Sequence, residues 1–413
     1  MEQWKQYKLG ELITLNSGGT PDKSNKSYWG GDIPWISAKF MYDDYLYSSE
    51  LKISQEGLDN GSRLAPKGSI LLLTRGSGLF NHIPVCYVMK DLAYNQDVKC
   101  IESNNKELVS TKFLFYWLMG NKNSIGAILE TTGIGAGKID TNRLKDIRIS
   151  LPPKEYQQAL IGFAESIMHK IELNRRINDN LEQQAQALFK SWFVDFEPFK
   201  DGKFVESELG MIPEGCRVGK AEDFYNINIG KTPPRKEQIW FSSNSSDYTW
   251  ISISDLGSCG RFVFTSSEFL THEAIKRHNI ILVPKDTILL SFKFTIGRVG
   301  IAGTELTTNE AIARFITSDE NREYTYFLLK GYNYEKLGST SSIATAVNSK
   351  IIKAMVVLMP DKEILKAFSS LTKPYFDQIL RNEQESIRLT ILRDTLLPKL
   401  MSGELKINTT EVL

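Results

Sequence analysis

The chain has little of what marks a secreted protein, a membrane protein or an enzyme. Only four cysteines occur in 413 residues, Cys86, Cys100, Cys216 and Cys259. They lie too far apart for a disulfide framework or the paired spacing of a structural zinc site, and predict a reduced, cytoplasmic setting. No run of about 18 apolar residues is present, so no membrane contact is expected. The longest apolar stretch, Ile280 to Phe292, is broken by Pro284, Lys285 and Asp286. The opening Met1-Glu2-Gln3-Trp4-Lys5 lacks the apolar core of a signal peptide. Charge of one sign is missing as well, with 50 basic against 49 acidic residues and a net charge of +1. A nucleic-acid binder normally carries a basic excess, because phosphate contact dominates its affinity. A chain this balanced needs its cations gathered on one face, or a partner to share the phosphate contact.

Catalytic motifs are also absent. Gly133-Ile134-Gly135-Ala136-Gly137-Lys138 resembles a phosphate-binding loop, but Thr132 stands where the first glycine belongs and Ile139 follows the lysine. No apolar strand precedes it, as a dinucleotide or methyl-donor loop requires. A flexible loop is the expected reading, with the small, polar Gly338-Ser339-Thr340-Ser341-Ser342 as its counterpart. His272 and His278 are six apart, on opposite sides of a helix, whereas a zinc-protease pair is spaced by four. His82 and His169 have no nearby ligand partners. The Asn/Asp-Pro-Pro-aromatic tetrapeptide of amino-methyltransferases is missing too, since Leu151 precedes Pro152-Pro153 and Thr232 precedes Pro233-Pro234. No catalytic residue, metal site or cofactor is expected on this chain.

What is present is a duplication. Gly19-Thr20-Pro21, Tyr28-Trp29 and Pro34-Trp35-Ile36-Ser37 are answered by Lys231-Thr232-Pro233, Ile239-Trp240 and Thr249-Trp250-Ile251-Ser252. Pro66-Lys67-Gly68-Ser69-Ile70-Leu71-Leu72 returns as Pro284-Lys285-Asp286-Thr287-Ile288-Leu289-Leu290, and Asn95-Gln96 as Asn309-Glu310. Ile147, Ile149 and Leu151 ahead of Pro152 match Met355, Val357 and Met359 ahead of Pro360, each pattern an alternating half-buried strand closed by proline. The four tryptophans Trp29, Trp35, Trp240 and Trp250 sit in strand-like context and read as core.

After each proline the period changes to helical. Leu160, Ala164, Ile167, Ile171, Asn174, Asn178, Leu181, Ala185, Leu188 and Trp192 form a coiled-coil seam. At a spacing of 208 residues (Pro152 to Pro360) it is repeated by Phe368, Thr372, Tyr375, Ile379, Asn382, Ser386, Leu389, Arg393, Leu396 and Leu400. Asparagine recurs in mid-seam, Asn174 and Asn382, as a register device would. Pro374 predicts a break near 372–374, with Thr372 as the N-cap of the helix that follows to about 402. At about 1.5 Å per residue, Lys154 to Trp192 spans roughly 55–60 Å and Pro374 to Met401 roughly 40 Å. Neither helix can cover its apolar stripe alone, so the two are expected to pair antiparallel. The aromatic run Ser191 to Phe199 reads as a packed helix end plus a docking strand, and Ser207 to Gly215 as a turn-rich lead-in to the second copy.

Leu181-Glu182-Gln183-Gln184-Ala185-Gln186-Ala187-Leu188-Phe189-Lys190-Ser191-Trp192-Phe193-Val194-Asp195-Phe196 resembles the central region of the specificity subunits of type I restriction–modification enzymes. Glu208-Leu209-Gly210-Met211-Ile212-Pro213-Glu214-Gly215 is similar to that family's approach to its second target-recognition domain, and Leu396-Leu397-Pro398-Lys399-Leu400-Met401-Ser402-Gly403-Glu404-Leu405 to its closing motif. The resemblance covers nearly the whole chain. It implies an α/β fold with two tandem target-recognition domains separated by a pair of long antiparallel coiled-coil helices in pseudo-twofold arrangement. The expected divisions are 1–152 and 215–360 for the two domains, 153–199 and 361–406 for the helical spacers, 200–214 for a linker and 407–413 for a tail. It further implies a noncatalytic reader of an asymmetric bipartite sequence in double-stranded DNA, docking two methyltransferase subunits and, through them, restriction subunits. S-adenosylmethionine, Mg2+ and ATP would then belong to the partners.

Base readout needs Arg, Lys, Asn or Gln in loops near the duplicated landmarks. Lys23, Lys26, Lys39, Arg75, Lys138 and Asn142 are the candidate DNA contacts of the first copy, and Arg235, Lys236, Lys293, Arg298 and Lys350 those of the second. Thr74-Arg75-Gly76-Ser77-Gly78 differs from Phe292-Lys293-Phe294-Thr295-Ile296-Gly297-Arg298, which predicts unlike half-sites. The competing readings are a self-sufficient DNA methyltransferase or restriction enzyme, and a tandem protein-interaction scaffold, the latter favoured by the neutral charge.

Overall fold

A computed structural model describes residues 4–133, 135–337 and 347–407. Packing divides the chain into two compact units, Met1–Ile171 with Arg388–Leu413, and Glu172–Ile387. The expected chain divisions at 152/153 and 360/361 mark where sheets give way to helix. Packing instead assigns part of each long helix to each unit.

The first unit is built on a five-stranded sheet in the order Ile13–Ser17, Val98–Ser103, Ile70–Leu73, Val85–Val88, Tyr45–Leu46. Its neighbours are antiparallel except the last pair. Ile70–Leu73 lies at the centre and is buried on both faces, which is why it reads as an unbroken apolar run rather than an alternating one. A second sheet orders Lys52–Ile53, Trp29–Ile36, Leu92–Tyr94 and Leu64–Ala65. Lys5–Lys8 pairs with Arg148–Leu151, the strand that leads into the first long helix.

The second unit repeats this plan. Its five-stranded sheet runs Asn226–Ile229, Ile312–Ile316, Ile288–Ser291, Val299–Ala302, Phe262–Val263, again with only the last pair parallel. Cys216–Lys220 pairs with Val356–Pro360 as Lys5–Lys8 does with Arg148–Leu151. The repetition extends to turn chemistry. The Pro66–Ser69 turn places Gly68 at φ +90°, and the Pro284–Thr287 turn places Asp286 at φ +68°. Glycine and aspartate are among the residues that tolerate this left-handed conformation.

The long helices are Lys154–Phe193 and Lys362–Ser402. Within the first unit, Tyr156 Oη donates to the carbonyls of Leu400 and Leu405, while Arg393 reaches Met168. Within the second, Asn178 meets Asn382, and Phe193 lies 5.0 Å from Phe368. In both, earlier residues of one helix meet later residues of the other, so the segments run antiparallel. Each helical segment also completes a head core. Leu160, Ala164, Met168, Leu397 and Leu400 join the first, and Ala185, Phe193, Phe368, Phe376 and Ile379 the second. A fully buried side chain of this size contributes roughly 1.5–3 kcal/mol.

Several expectations need correction. Pro374 does not break the second helix, which is continuous from Lys362 to Ser402. Thr372 is no N-cap but is buried within it, its hydroxyl donating to the Phe368 carbonyl at 3.0 Å. Proline in a helix interior costs about 3 kcal/mol. Burial of Phe368, Phe376 and Ile379 on the flanking turns offsets this. Among the seam positions Leu160, Ile167, Asn174, Phe368, Ile379 and Asn382 are buried, whereas Ile171, Leu181, Leu188, Tyr375, Leu389 and Leu396 are half-buried. Beside four of these half-buried positions, Glu182, Phe376, Leu397 and the Phe189 ring cluster take up the inner contacts. Packing on a head as well as on the other helix widens the inner face beyond a two-position seam.

Ser191–Phe199 contains no strand. The helix ends at Phe193 and is followed by a 3-10 turn, Glu197–Phe199, and the region read as a linker forms a hairpin, Phe204–Ser207 with Gly210–Pro213. The glycine run is likewise more ordered than a flexible loop. Leu129–Thr131 and Gly137–Ile139 pair, with Thr132 closing the turn by bonds to Ala136. Ile134 and the counterpart Gly338–Ser342 lie outside the described residues.

A candidate nucleic-acid interface in each head

The strongest structural echo between the heads surrounds the Gly/Lys-Thr-Pro turn. In the first, the Trp35 indole donates to the Gly19 carbonyl at 3.1 Å, and in the second Trp250 donates to Lys231 at 3.2 Å. Gly19 N–H bonds Tyr94 O, and Lys231 N–H bonds Thr308 O, both at 2.9 Å. Gly18 and Gly230 are required by this approach. A Cβ on Gly18 would come within 2.1 Å of the Tyr94 oxygen, and one on Gly230 within 1.9 Å of the Asn309 oxygen. Both tryptophans are buried, as is Trp240, while Trp29 is half-buried edge-on to Trp35.

In the first head this framework borders two clefts that share Gln96 and Asp97. One, of about 550 Å³, includes Thr20, Lys23, Trp35 and Lys39. The other, of about 360 Å³, includes Arg75, Lys99, Lys138 and Asp140. Arg75 and Lys138 are direct cross-strand partners, because the glycine hairpin adds Gly137–Ile139 beside Arg75–Gly76. Neither makes an ion pair among the described residues. The nearby carboxylates are occupied. Asp140 caps the helix Thr141–Asp146 through the amides of Asn142 (2.8 Å) and Arg143 (2.9 Å), which hold its carboxyl below the usual range. Asp97 accepts from Asn95 and Gln96. Burial depresses the Lys99 ammonium, with Asp97 opposing the shift and Arg75 adding to it. Arg75 and Lys138 thus border a cleft whose acids are engaged, an arrangement suited to polyanion contact, while Glu50 lines the Lys23 and Lys39 cleft.

The structure therefore brings together Lys23, Lys39, Arg75 and Lys138. Lys26 stands apart on an exposed 3-10 turn, and Asn142 gives its amide to Asp140. In the second head the candidates are dispersed. Arg235 is ion-paired to Glu268 and lies over Phe241 and Trp250, at 4.4 and 4.6 Å from the ring centroids. Arg298 donates to the Ile253 carbonyl at 2.7 Å, a structural tie. Lys236 and Lys350 are exposed, and Lys293 is half-buried. Beside Lys293, Phe294 is 98% exposed with φ +59°, a conformation rare for a bulky residue. The two histidines act as ring partners, His272 stacked on Tyr248 and His278 edge-on to Trp240.

Gln96, Lys99 and Asp97 were not chosen from the sequence. The duplicated Asn95-Gln96 and Asn309-Glu310 pairs were the available signal, since a landmark repeated in both copies sits at a repeated place in space. Among the described residues no helix is long and apolar enough to cross a membrane.

Two like α/β heads, each with its own helical segments and the first with a basic double cleft, define a tandem-domain binding protein. Residues 1–183 and 213–389 match the family described as type I restriction modification DNA specificity domain. The chain is 30% identical to the type I restriction enzyme MjaIX specificity subunit of Methanocaldococcus jannaschii, over 98% of this chain and 94% of the relative. It is 25% identical to the HindI specificity subunit of Haemophilus influenzae, over 98% of this chain and 100% of that one. Among solved structures, the type I restriction–modification S subunit from M. genitalium aligns over 96% of both chains at 15% identity and a TM-score of 0.48. The chain belongs to the type I restriction modification DNA specificity family. Its role is that of a noncatalytic specificity subunit, the chemistry being carried by other subunits.

Proposed function

We propose that this subunit reads an asymmetric, split target in double-stranded DNA, one head per half-site, with the helices setting the gap. The observation that carries the reading is the duplication itself: two heads with the same sheet order and the same tryptophan-to-turn bonds, but unlike surfaces around them. Like frameworks place recognition residues at like positions, and unlike side chains there read unlike bases. Phosphate contact in the first half-site falls to Lys23, Lys39, Arg75 and Lys138.

The helices carry a second task. Leu173, Ile177, Ile387, Ile391 and Leu392 are exposed on them, an unusual set of apolar side chains for a helix facing water. Two methyltransferase subunits are the proposed occupants, with restriction subunits joining through them. S-adenosylmethionine, Mg2+ and ATP are assigned to those partners. A shared phosphate contact also accounts for a net charge of only +1.

The test is to co-express the chain with its methyltransferase partner and map methylated sites. A split motif with a fixed gap is expected. Altering the second head by replacing residues 215–360 with those of a related subunit should change one half of the motif only. A continuous motif, or methylation indifferent to that exchange, overturns the reading.

A further inference from the structure

Gln96 and Glu310 occupy the same place in the two heads. Each follows the asparagine whose amide bonds the strand end, Asn95 N–H to Ile36 O and Asn309 N–H to Ile251 O, both at 2.9 Å. Each is exposed, and each is held by the threonine of the duplicated turn. Thr20 Oγ1 donates to Gln96 Oε1 at 2.7 Å, and Thr232 Oγ1 donates to Glu310 Oε2. Gln96 also lies where the two basic clefts of the first head meet.

The chemistry at this repeated position differs in one respect. Gln96 offers a donor and an acceptor. Its Oε1 keeps one lone pair beyond the threonine bond, and its Nε2 keeps one N–H beyond the 3.4 Å contact to Asp97. That is the complement of adenine, which presents N7 as acceptor and the N6 amino group as donor. Glu310 offers only acceptors, and its Oε1 has no partner among the described residues. A carboxylate near DNA is repelled by phosphates, a cost offset when it accepts from a base amino group, and cytosine N4 is the amino group that carboxylates read in the major groove. The threonine fixes one oxygen of each side chain, which removes rotamer freedom before DNA arrives.

We propose that Gln96 and Glu310 are equivalent base-reading residues, Gln96 specifying an adenine in one half-site and Glu310 a cytosine in the other, each positioned by its threonine. The inference rests on the split-target reading and adds to it the identity of one base per half.

The experiment maps methylation by the complete complex for the wild type, Gln96→Glu, Gln96→Ala and Glu310→Gln. The wild-type motif is expected to contain an adenine in one half and a cytosine in the other at the affected positions. Gln96→Glu should shift a single position of one half from adenine towards cytosine, and Glu310→Gln should do the converse in the other half. Gln96→Ala should relax that one position without choosing a new base. A discrimination change of roughly 5- to 150-fold is expected, the range for one good bidentate contact. Thr20→Val is the readout for positioning, and should lower discrimination at the Gln96 position while keeping adenine preferred. Gln96 and Glu310 are exposed, so unchanged thermal unfolding is expected of the variants at these two positions. A motif unaltered by Gln96→Glu and Glu310→Gln, or altered at several positions of both halves, overturns this assignment while leaving the split-target reading intact. A continuous wild-type motif overturns that reading and this assignment together.

Discussion

In the second unit, Arg261 immediately precedes the edge strand Phe262–Val263 and reaches Asp179 (2.6 Å) and Glu182 (2.7 Å) on the first long helix. In the first unit the residue at that place is Asp44, immediately ahead of the edge strand Tyr45–Leu46, and its partner is Arg393 of the second long helix at 2.8 Å. The sheet orders agree, yet the fastening charges are exchanged. The second unit adds contacts of the same sense. Glu182 also takes Lys330 and the Tyr326 hydroxyl, and Glu383 accepts from the amides of Arg261 (2.8 Å) and Phe262 (2.9 Å). In the first unit Lys112 on Glu165 keeps that sense, head cation on helix acid, so the exchange lies at the Asp44–Arg393 pair. At that one place, a head set on the other's helical segments would bring carboxylate to carboxylate and guanidinium to guanidinium. Duplication supplied two equal frames, and opposite charge then gives each head its own seat.

The largest expected effect comes from breaking the more buried of these fastenings. Glu182→Ala leaves the buried Tyr326 hydroxyl without its acceptor and Arg261 with Asp179 alone, and should cost about 2–4 kcal/mol, seen in denaturant unfolding. Arg393→Ala should cost less, about 1–3 kcal/mol, because its acids Asp44 and Asp394 are 32% and 58% exposed and stay hydrated. The double exchange Asp44→Arg with Arg393→Asp should recover part of what Asp44→Arg loses alone. Additive losses would show that the pair does not set the match.

Acid should separate the same fastenings. Burial works against the Glu182 charge, but Lys330, Tyr326 and Arg261 outweigh it and hold its carboxyl below the ordinary range. Such a group contributes stability above its unfolded pKa, and that stability is lost as pH falls through the folded value. Burial instead raises the Glu383 carboxyl, so its ionisation opposes folding and protonation relieves it. Glu182→Gln should therefore flatten the acid-side loss of stability, and Glu383→Gln should not.

The mid-seam asparagines sharpen the comparison within one unit. Asn382 donates to Asn178 Oδ1 at 2.8 Å and accepts from Gln378 at 2.7 Å. Asn382→Leu strands the buried Asn178 and should cost about 1–3 kcal/mol. Asn174 Nδ2 donates to Glu385 at 2.8 Å and to Ser386 at 3.2 Å, but its buried Oδ1 has no hydrogen-bond partner among the described residues, so a leucine there removes an unpaired oxygen along with those bonds. Asn174→Leu should cost distinctly less in the same unfolding assay. The smallest expected stability effects are at the arginines after the central strands. Arg298→Ala removes the tie to the Ile253 carbonyl and should cost about 1 kcal/mol. Arg75→Ala should leave unfolding unchanged and lower the salt slope of DNA binding by about one.

Much of the fold was legible because repetition is a property of order rather than of any single residue. Strand-proline-helix succession appeared twice, and the first long helix begins where it was expected, at Lys154, whereas the second begins at Lys362 rather than near Thr372. The Pro374 break misled because a local rule was applied where buried Phe368 and Phe376 on adjacent turns decide the outcome. Of the first head's cations, Lys23, Lys39, Arg75 and Lys138 proved to border adjoining clefts. The second head's Arg298 and Arg235 look alike in sequence, yet one is tied to a carbonyl and the other to Glu268 and two rings. Nothing local distinguishes a tethered arginine from an available one.

By itself the order of residues determined that there are two copies of one α/β unit, that each is followed by a long helix, and that no recognisable catalytic motif is written in either. Periodicity and turn chemistry act over a few residues, so a linear reading captures them. Tertiary structure alone decided which charges are engaged. The Arg261–Glu182 tie, the exchanged Asp44–Arg393 pair and the cross-strand meeting of Arg75 with Lys138 join residues far apart in the chain. Such meetings arise when sheets and helices close on one another, because electrostatic contact depends on distance in space and not on distance along the polypeptide.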